Sequence, residues 1–326
     1  IDNVMLNKRL SKSEKALMIE LSKFNETVDM AYEELAPHKI CAYIYDLCNA
    51  FNSFYHGTKI MAEENERLIQ ETKQMQAGTR LYLDQFTAVL RNVKCDTPAP
   101  VIEVAADTTF HCAQSLLEPG KKIAVLNFAN AYQPGGGVVH GAMAQEECLC
   151  RSSNLYESLT MPYLIRHYYK WNQKNTGDMS SDLIIYSPNV TVFKSDDTYP
   201  QELPEAEWFQ VDVITCAAPY YDPRKKKPVS KEKLENVFYD RIQNILESAM
   251  DNDVDRLVLG AFGCGAFNNP PDLAAEVFRH LLIDNGYAQY FDKVVFAIKK
   301  SRDICPNLNA FQQAFSGSRK TIDSGF

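Results

Sequence analysis

Three glycines, Gly135-Gly136-Gly137, are followed at short range by an amide and two acids, Gln145-Glu146-Glu147, in the continuous segment PGGGVVHGAMAQEE. Paired carboxylates suit acid–base work, one transferring a proton while the other orients the substrate or supports developing charge. Consecutive glycines can take positive φ and let a backbone approach a ligand closely. Each half also has a plain structural explanation, as a flexible loop and as acids complementing a helix N-terminus. The combination and its spacing single the segment out.

A second glycine-rich loop, Gly260-Ala261-Phe262-Gly263-Cys264-Gly265-Ala266-Phe267-Asn268-Asn269-Pro270, follows an apolar run. It is neither a Walker loop, since no Lys-Ser/Thr follows, nor a GxGxxG segment. Closely spaced glycines between a strand and a helix can still form a nest of amides for a diphosphate. Cys264 has no histidine close in sequence and reads as a small apolar residue. His140, inside the spacer, reads as a solvated loop residue. Tyr156, Tyr163, Tyr168, Tyr169 and Trp171 read as packing aromatics, one of them open as an adenine contact. Cys148 and Cys150 form a CxC pair without the four spaced ligands of a structural zinc site, so no metal is expected.

The elements that must carry these loops alternate. Strands are expected at Val101–Val104, Ile123–Phe128, Leu183–Tyr186 with Val190–Phe193, Val211–Cys216, Leu257–Ala261 and Val294–Ile298, with helices over 145–159, 231–250 and 272–284 between them. Such alternation implies a layered α/β sheet whose ligands bind beyond the carboxyl ends of strands. Both glycine loops follow strands. Before Gly78 the texture is purely helical. Leu17, Leu21, Phe24, Val28, Tyr32 and Leu35 trace one apolar face, with Ser13 as a cap and Pro37 as the break; Ile40, Ile44, Leu47, Phe51 and Phe54 trace a second. The two predict a helical hairpin.

The 326 residues suffice for one large α/β domain and an appendage. A net charge of −8 and a pI near 5.4 argue against holding a nucleic-acid duplex by bulk charge. A polyanionic ligand would need a local pocket of amides or helix ends. The basic stretch Arg224–Lys227 reads as a solvated loop. No apolar run reaches membrane-span length. Nine cysteines, an odd number without CxxC, point to reduced thiols and a cytoplasmic setting, and a monomer is expected.

The segments LNFANAYQPGGG (126–137), QEECLCRSSNLYESL (145–159), IYSPNVTVF (185–193) and LGAFGCGAFNNPP (259–271) together resemble the bacterial-type poly(ADP-ribose) glycohydrolases, over about residues 65–316. The resemblance implies a macrodomain-like three-layer α/β/α sandwich with a mixed sheet, over residues 65–326, binding ADP-ribose and needing no cofactor. It assigns proton transfer to Glu147 and orientation of the distal ribose to Glu146. Asn130 would bind the same ribose, Gly135, Gly136 and Gly137 would line it, and Gln145 would join the substrate contacts. Gly263, Cys264, Gly265 and Ala266 would form the diphosphate loop, with Phe267 packing on the proximal side of the ligand. A general acid must carry a proton, and the charges of Glu146 and the substrate diphosphate are expected to bring it to Glu147 in the bound state. The resemblance also implies release of terminal units, with the protein-linked unit left in place.

Residues 13–65 resemble part of the anticodon-binding helical domain of arginyl-tRNA synthetases, and residues 1–64 are taken as that separate segment. No HIGH-like or KMSKS-like segment accompanies it, so arginylation is not expected. Two alternatives to hydrolysis stand beside it: a non-catalytic ADP-ribose reader, which would keep both loops without needing Glu147, and tRNA contact through residues 1–64.

Overall fold

The computed structural model describes residues 12–57, 65–82, 101–177, 179–197, 199–225, 229–300 and 305–316. Cys95, Lys226, Lys227, residue 64 at the expected domain limit, and the side chains of Ser13 and Phe54 lie outside the described set. Two compact units divide at Ile69/Gln70.

The first unit holds α1 (Lys12–Ser22), α2 (Phe24–Glu33) and α3 (His38–Gly57). The single helix expected before Pro37 is therefore two, and the hairpin becomes three helices. Hydroxyls compete with the backbone at the break: Ser22 Oγ donates to the Ile19 carbonyl at 2.7 Å and Thr27 Oγ1 to the Lys23 carbonyl at 2.9 Å. Tyr43 is buried and its ring lies 6.1 Å from that of Phe24, but Tyr32 and Leu35 of the expected apolar face are 81% and 86% exposed. Three short helices have too little interior to cover a full apolar stripe.

In the second unit α4 (Glu66–Gly78), which contains the unit division, leads into β1 (Arg80–Tyr82), a short strand that the sequence pattern does not signal. Then come β2 (Val101–Ala105), α5 (Thr109–Ser115) and β3 (Ile123–Phe128). The helical region that follows comprises α6 (Gln145–Ser152), α7 (Leu155–Leu159), α8 (Pro162–Leu164), a π-helical turn (Ile165–Tyr169) and α9 (Lys170–Asn175). The rest is β4 (Ile184–Val192), β5 (Phe209–Cys216), α10 (Lys231–Asp251), β6 (Arg256–Leu259), α11 (Pro271–Arg279), β7 (Lys293–Ala297) and α12 (Pro306–Ala314).

Among the described residues seven strands form one mixed sheet in the order β1-β4-β5-β3-β6-β7-β2. The β1/β4 and β4/β5 pairs are antiparallel and the others parallel. Alternate residues of β3 point to opposite faces, as a strand requires. Ala124 and Leu126 join Leu234, Phe238, Ile242 and Phe278 on the α10–α12 side. Ile123 and Val125 join Phe110, Leu149, Leu155, Tyr168 and Tyr169 on the α5–α9 side. The result is the expected three-layer α/β/α sandwich.

Two segments differ in detail from expectation. The paired strands at 183–186 and 190–193 are one strand, β4, with a register shift between Ser187 and Val190. Pro188 lacks an N–H there, Asn189 takes φ +52°, and Asp212 accepts from the Asn189 amide at 2.8 Å and from the Tyr186 hydroxyl. The helix expected over 145–159 breaks at Ser153 and Asn154. Ser153 pairs with Val192, and Asn154 Oδ1 accepts from the Thr191 amide at 2.9 Å, so sheet-like bonds win over helix continuation.

Candidate active site

The carboxyl end of β3 turns into the first glycine loop, and α6 returns over it. Gln145 ties the two together. Its Oε1 accepts from the Phe128 amide at 2.9 Å, and its Nε2 donates to the Leu126 carbonyl at 2.7 Å and to Thr109 Oγ1 at 3.1 Å. The amide read as a substrate contact borders the site, but both its donors are engaged within the protein.

The two acids of α6 are buried, Glu146 to 3% and Glu147 to 7% exposure. Glu146 Oε2 accepts from the Asn130 amide at 2.7 Å, and Oε1 lies 3.4 Å from Asn127 Nδ2, itself bonded to Thr215 Oγ1 at 3.2 Å. Burial pushes the Glu146 carboxyl up to about 8; the Asn130 amide and Asn127 oppose this, and the charge of Glu147 adds to it. Glu147 Oε1 accepts from the Gly137 amide at 2.8 Å. Its Oε2 is buried with no hydrogen-bond partner among the described residues.

The glycines explain themselves against these acids. Gly136 has φ +57°, and a Cβ there would lie 2.4 Å from Glu147 Oε1 and 3.0 Å from Glu146 Oε2. Gly135 has φ +62°, with the Tyr156 ring 2.8 Å from where a Cβ would stand. Gly136 and Gly137 therefore pack closely against the carboxylates, and the cavity is lined by other residues. The Asn130 side chain stabilises the entry to this loop, its Oδ1 accepting from the amides of Tyr132 at 2.8 Å and Gln133 at 3.1 Å.

A cavity of about 520 Å³ opens in front of the acids, within the range of small-molecule sites. Asn130, Gln145, Glu146, Glu147, Gly263, Gly265, Ala266 and Phe267, all singled out in the sequence, line it. Asp107, Thr108, Asp196, Lys299 and Asn307 line it as well and were missed. Asp107 and Lys299 follow β2 and β7, so the rule that ligands sit beyond strand carboxyl ends was the available signal. Asp196 is buried, its carboxyl raised by that burial, and it accepts from the Phe110 amide at 2.9 Å.

The second loop, following β6, contributes a further part of the lining. Gly263 takes φ +74°, with Ala218 and Asn269 within 2.7 Å of where a Cβ would stand. Asn269 Nδ2 clasps the loop, donating to the carbonyls of Pro219 at 2.8 Å and Gly263 at 2.9 Å. The amides of Gly263, Gly265, Ala266 and Phe267 make no hydrogen bond among the described residues, leaving a concave set of donors. Cys264 does not line the cavity; its thiol is directed to the Phe262 carbonyl at 3.4 Å, and burial pushes it up to about 12. This is an inert packing thiol rather than a nucleophile.

A macrodomain-type α/β/α sandwich, whose nucleotide-sized cavity is lined by both a carboxylate pair and a glycine-loop set of amides, is the class that this fold and site define. Residues 50–195 match the family described as "Microbial-type PARG, catalytic domain". The chain is similar to the poly(ADP-ribose) glycohydrolase of Thermomonospora curvata solved with the inhibitor ADP-HPD, at 38% identity over 76% of this chain and 88% of that one, with TM-score 0.67. It is also similar to that of Deinococcus radiodurans solved with ADP-ribose, at 35% identity over 75% of this chain and 96% of that one, with TM-score 0.66. The chain belongs to the poly(ADP-ribose) glycohydrolase family.

Residues 2–92 match the DALR anticodon binding domain. Over 59 residues the chain is 64% identical to the arginine–tRNA ligase of Agathobacter rectalis, covering 18% of this chain and 10% of that protein. It thus spans about a tenth of the length of the curated relatives it matches. Among the described residues no helix is long and apolar enough to cross a membrane.

Proposed function

We propose that the chain hydrolyses the ribose–ribose O-glycosidic bonds of poly(ADP-ribose) and releases ADP-ribose, with residues 65–326 as the glycohydrolase domain. The observation that carries the proposal is the state of Glu147: Oε1 is fixed by the Gly137 amide while Oε2, beside the cavity, has no partner among the described residues.

Cleaving such a bond requires a proton for the departing hydroxyl, support for an oxocarbenium-like ribose carbon, and a water to attack it. Glu147 Oε2 supplies the proton as the bond to the leaving ribose breaks. The resulting carboxylate then takes a proton from the attacking water, which restores the acid. Glu146 accepts hydrogen bonds from hydroxyls of the distal ribose, and Asn130 holds the same sugar. The diphosphate lies on the amides of Gly263, Gly265, Ala266 and Phe267, where oriented donors suit a dianion. Phe267 packs against the proximal ribose side. Asp107, whose carboxylate also lines the cavity, suits the exocyclic amine of adenine. Gln145 and Cys264 act through the backbone they hold rather than by touching substrate.

The eight described cysteines are all free, which supports work in a reducing cytoplasm.

Incubating the chain and its Glu147→Gln variant with poly(ADP-ribose), and measuring both binding and released ADP-ribose, tests the proposal. Release by the parent alone is expected. Equal binding with no release by either protein would instead make the chain a reader. Absence of both, together with binding of tRNA, would transfer the function to the anticodon-binding-like helices.

A further inference from the structure

The outer face of the α8–α9 segment carries two parallel stripes that the proposed reaction leaves unused. Arg166, Lys170 and Lys174 recur every fourth residue, and Tyr163, His167 and Trp171 recur every fourth residue beside them; all six are exposed. The rings of Tyr163 and His167 lie 4.6 Å apart, and Tyr163 and Trp171 are 50% and 43% exposed. A period of four is longer than that of an α-helix. The π-helical turn at Ile165–Tyr169 supplies it, burying the consecutive Tyr168 and Tyr169 and turning the flanking pairs Arg166/His167 and Lys170/Trp171 outward.

The charge of this face runs against the chain as a whole, whose net charge is −8. No Asp or Glu occurs between Glu157 and Asp178. Among the described residues Arg166, Lys170 and Lys174 form no ion pair. The face also adjoins the candidate active site. Gln173 Nε2 donates to the Tyr132 carbonyl at 2.7 Å, and the Tyr132 hydroxyl donates to the Gly177 carbonyl at 2.5 Å. Tyr132 opens the loop whose Gly137 holds Glu147.

We propose that this stripe is an exosite for the substrate polymer: its cations meet the diphosphates of units beyond the bond being cut, and its rings stack on their adenines. Unpaired cations interleaved with exposed rings are what a flexible, single-stranded polyanion with bases requires. An RNA strand offers similar chemistry. The substrate polymer is favoured because the rest of it starts at the scissile bond, next to the loop that this face supports. The inference rests on the proposed glycohydrolase function.

The test compares the parent with an Arg166→Ala/Lys170→Ala/Lys174→Ala variant and a Trp171→Ala variant. Each is measured for turnover of long poly(ADP-ribose) and of the ADP-ribose dimer, and for binding of labelled long polymer and of labelled single-stranded RNA. Loss of three phosphate contacts should raise KM and Kd for long polymer roughly tenfold at low salt, and flatten the log–log salt dependence of binding by about 2. Turnover of the dimer and kcat should stay unchanged. Unchanged KM and Kd for long polymer would overturn the proposal. So would a loss confined to RNA binding, which would make the stripe a nucleic-acid site. A parent that binds long polymer through the stripe but releases nothing from either substrate would refute the glycohydrolase reading and leave the exosite standing.

Discussion

The amide of Gly137 donates to Glu147 Oε1 at 2.8 Å, and the second oxygen of the same carboxylate, although buried, has no hydrogen-bond partner among the described residues. One oxygen is anchored by backbone and the other is presented to the cavity. A carboxyl group held in this way is aimed without being neutralised by a protein cation, which is the arrangement proton transfer needs.

Glu147→Gln keeps the shape and an acceptor for the Gly137 amide but cannot cycle a proton. Release of ADP-ribose should fall by about 10²–10⁴-fold with the Kd for ADP-ribose nearly unchanged. Single-turnover release and calorimetry of product binding separate the two effects; an equal fall in both would make Glu147 a binding residue only.

Gly136→Ala tests the cradle. The new methyl would stand 2.4 Å from Glu147 Oε1 on a backbone at φ +57°. Either the carboxylate or the loop has to move, and a displacement near 1 Å costs a rate factor of about a hundred. The variant should remain folded, with stability reduced by roughly 1–2 kcal/mol from backbone strain. Wild-type kcat in this variant would mean that the glycine is dispensable.

Gln145→Ala removes the link between α6 and the end of β3. It leaves the Phe128 amide and the Leu126 carbonyl without their partner, at a cost of about 1–3 kcal/mol in unfolding experiments. Because the acids ride on the same helix, kcat should fall more than KM rises. A rise in KM alone would restore Gln145 to the direct substrate contacts.

Glu146 makes stability depend on pH. Its carboxyl is raised from 4.5 to about 8, first by burial. Between those values the folded chain keeps a proton that the unfolded chain has lost, so stability declines as pH rises through the window. Glu146→Gln has no such proton to lose. Its melting temperature should therefore exceed the parent's near pH 8, and the advantage should vanish toward pH 4.5. A pH-independent difference would show that Glu146 does not titrate there.

Asn269→Ala releases the clasp on the second loop, where Nδ2 bonds the carbonyls of Pro219 and Gly263. The amides proposed to face the diphosphate would lose their fixed geometry. Affinity for ADP-ribose should drop about tenfold, equivalent to about 1.4 kcal/mol, with a smaller change in kcat at saturation. Titration with ADP-ribose and with adenosine checks the assignment, since adenosine lacks the diphosphate and should bind both proteins alike.

Local chain chemistry determined a large share of this protein. β3 runs over Ile123–Phe128 as its apolar residues predict, and the glycines and acids of 135–147 meet in space because fewer than fifteen residues separate them. Period-two and helical patterning are properties of short windows, and so the sequence shows them directly. Tertiary structure alone decided the rest. Asp107 and Lys299 face one cavity because β2 pairs with β7 in parallel, joining segments nearly two hundred residues apart. Gln145 became a brace because β3 ends within reach of its amide. The outward stripes of α8–α9 depend on a π-helical turn. Strand order, register and a change of helical period are settled by packing across the whole sheet, which no local window contains.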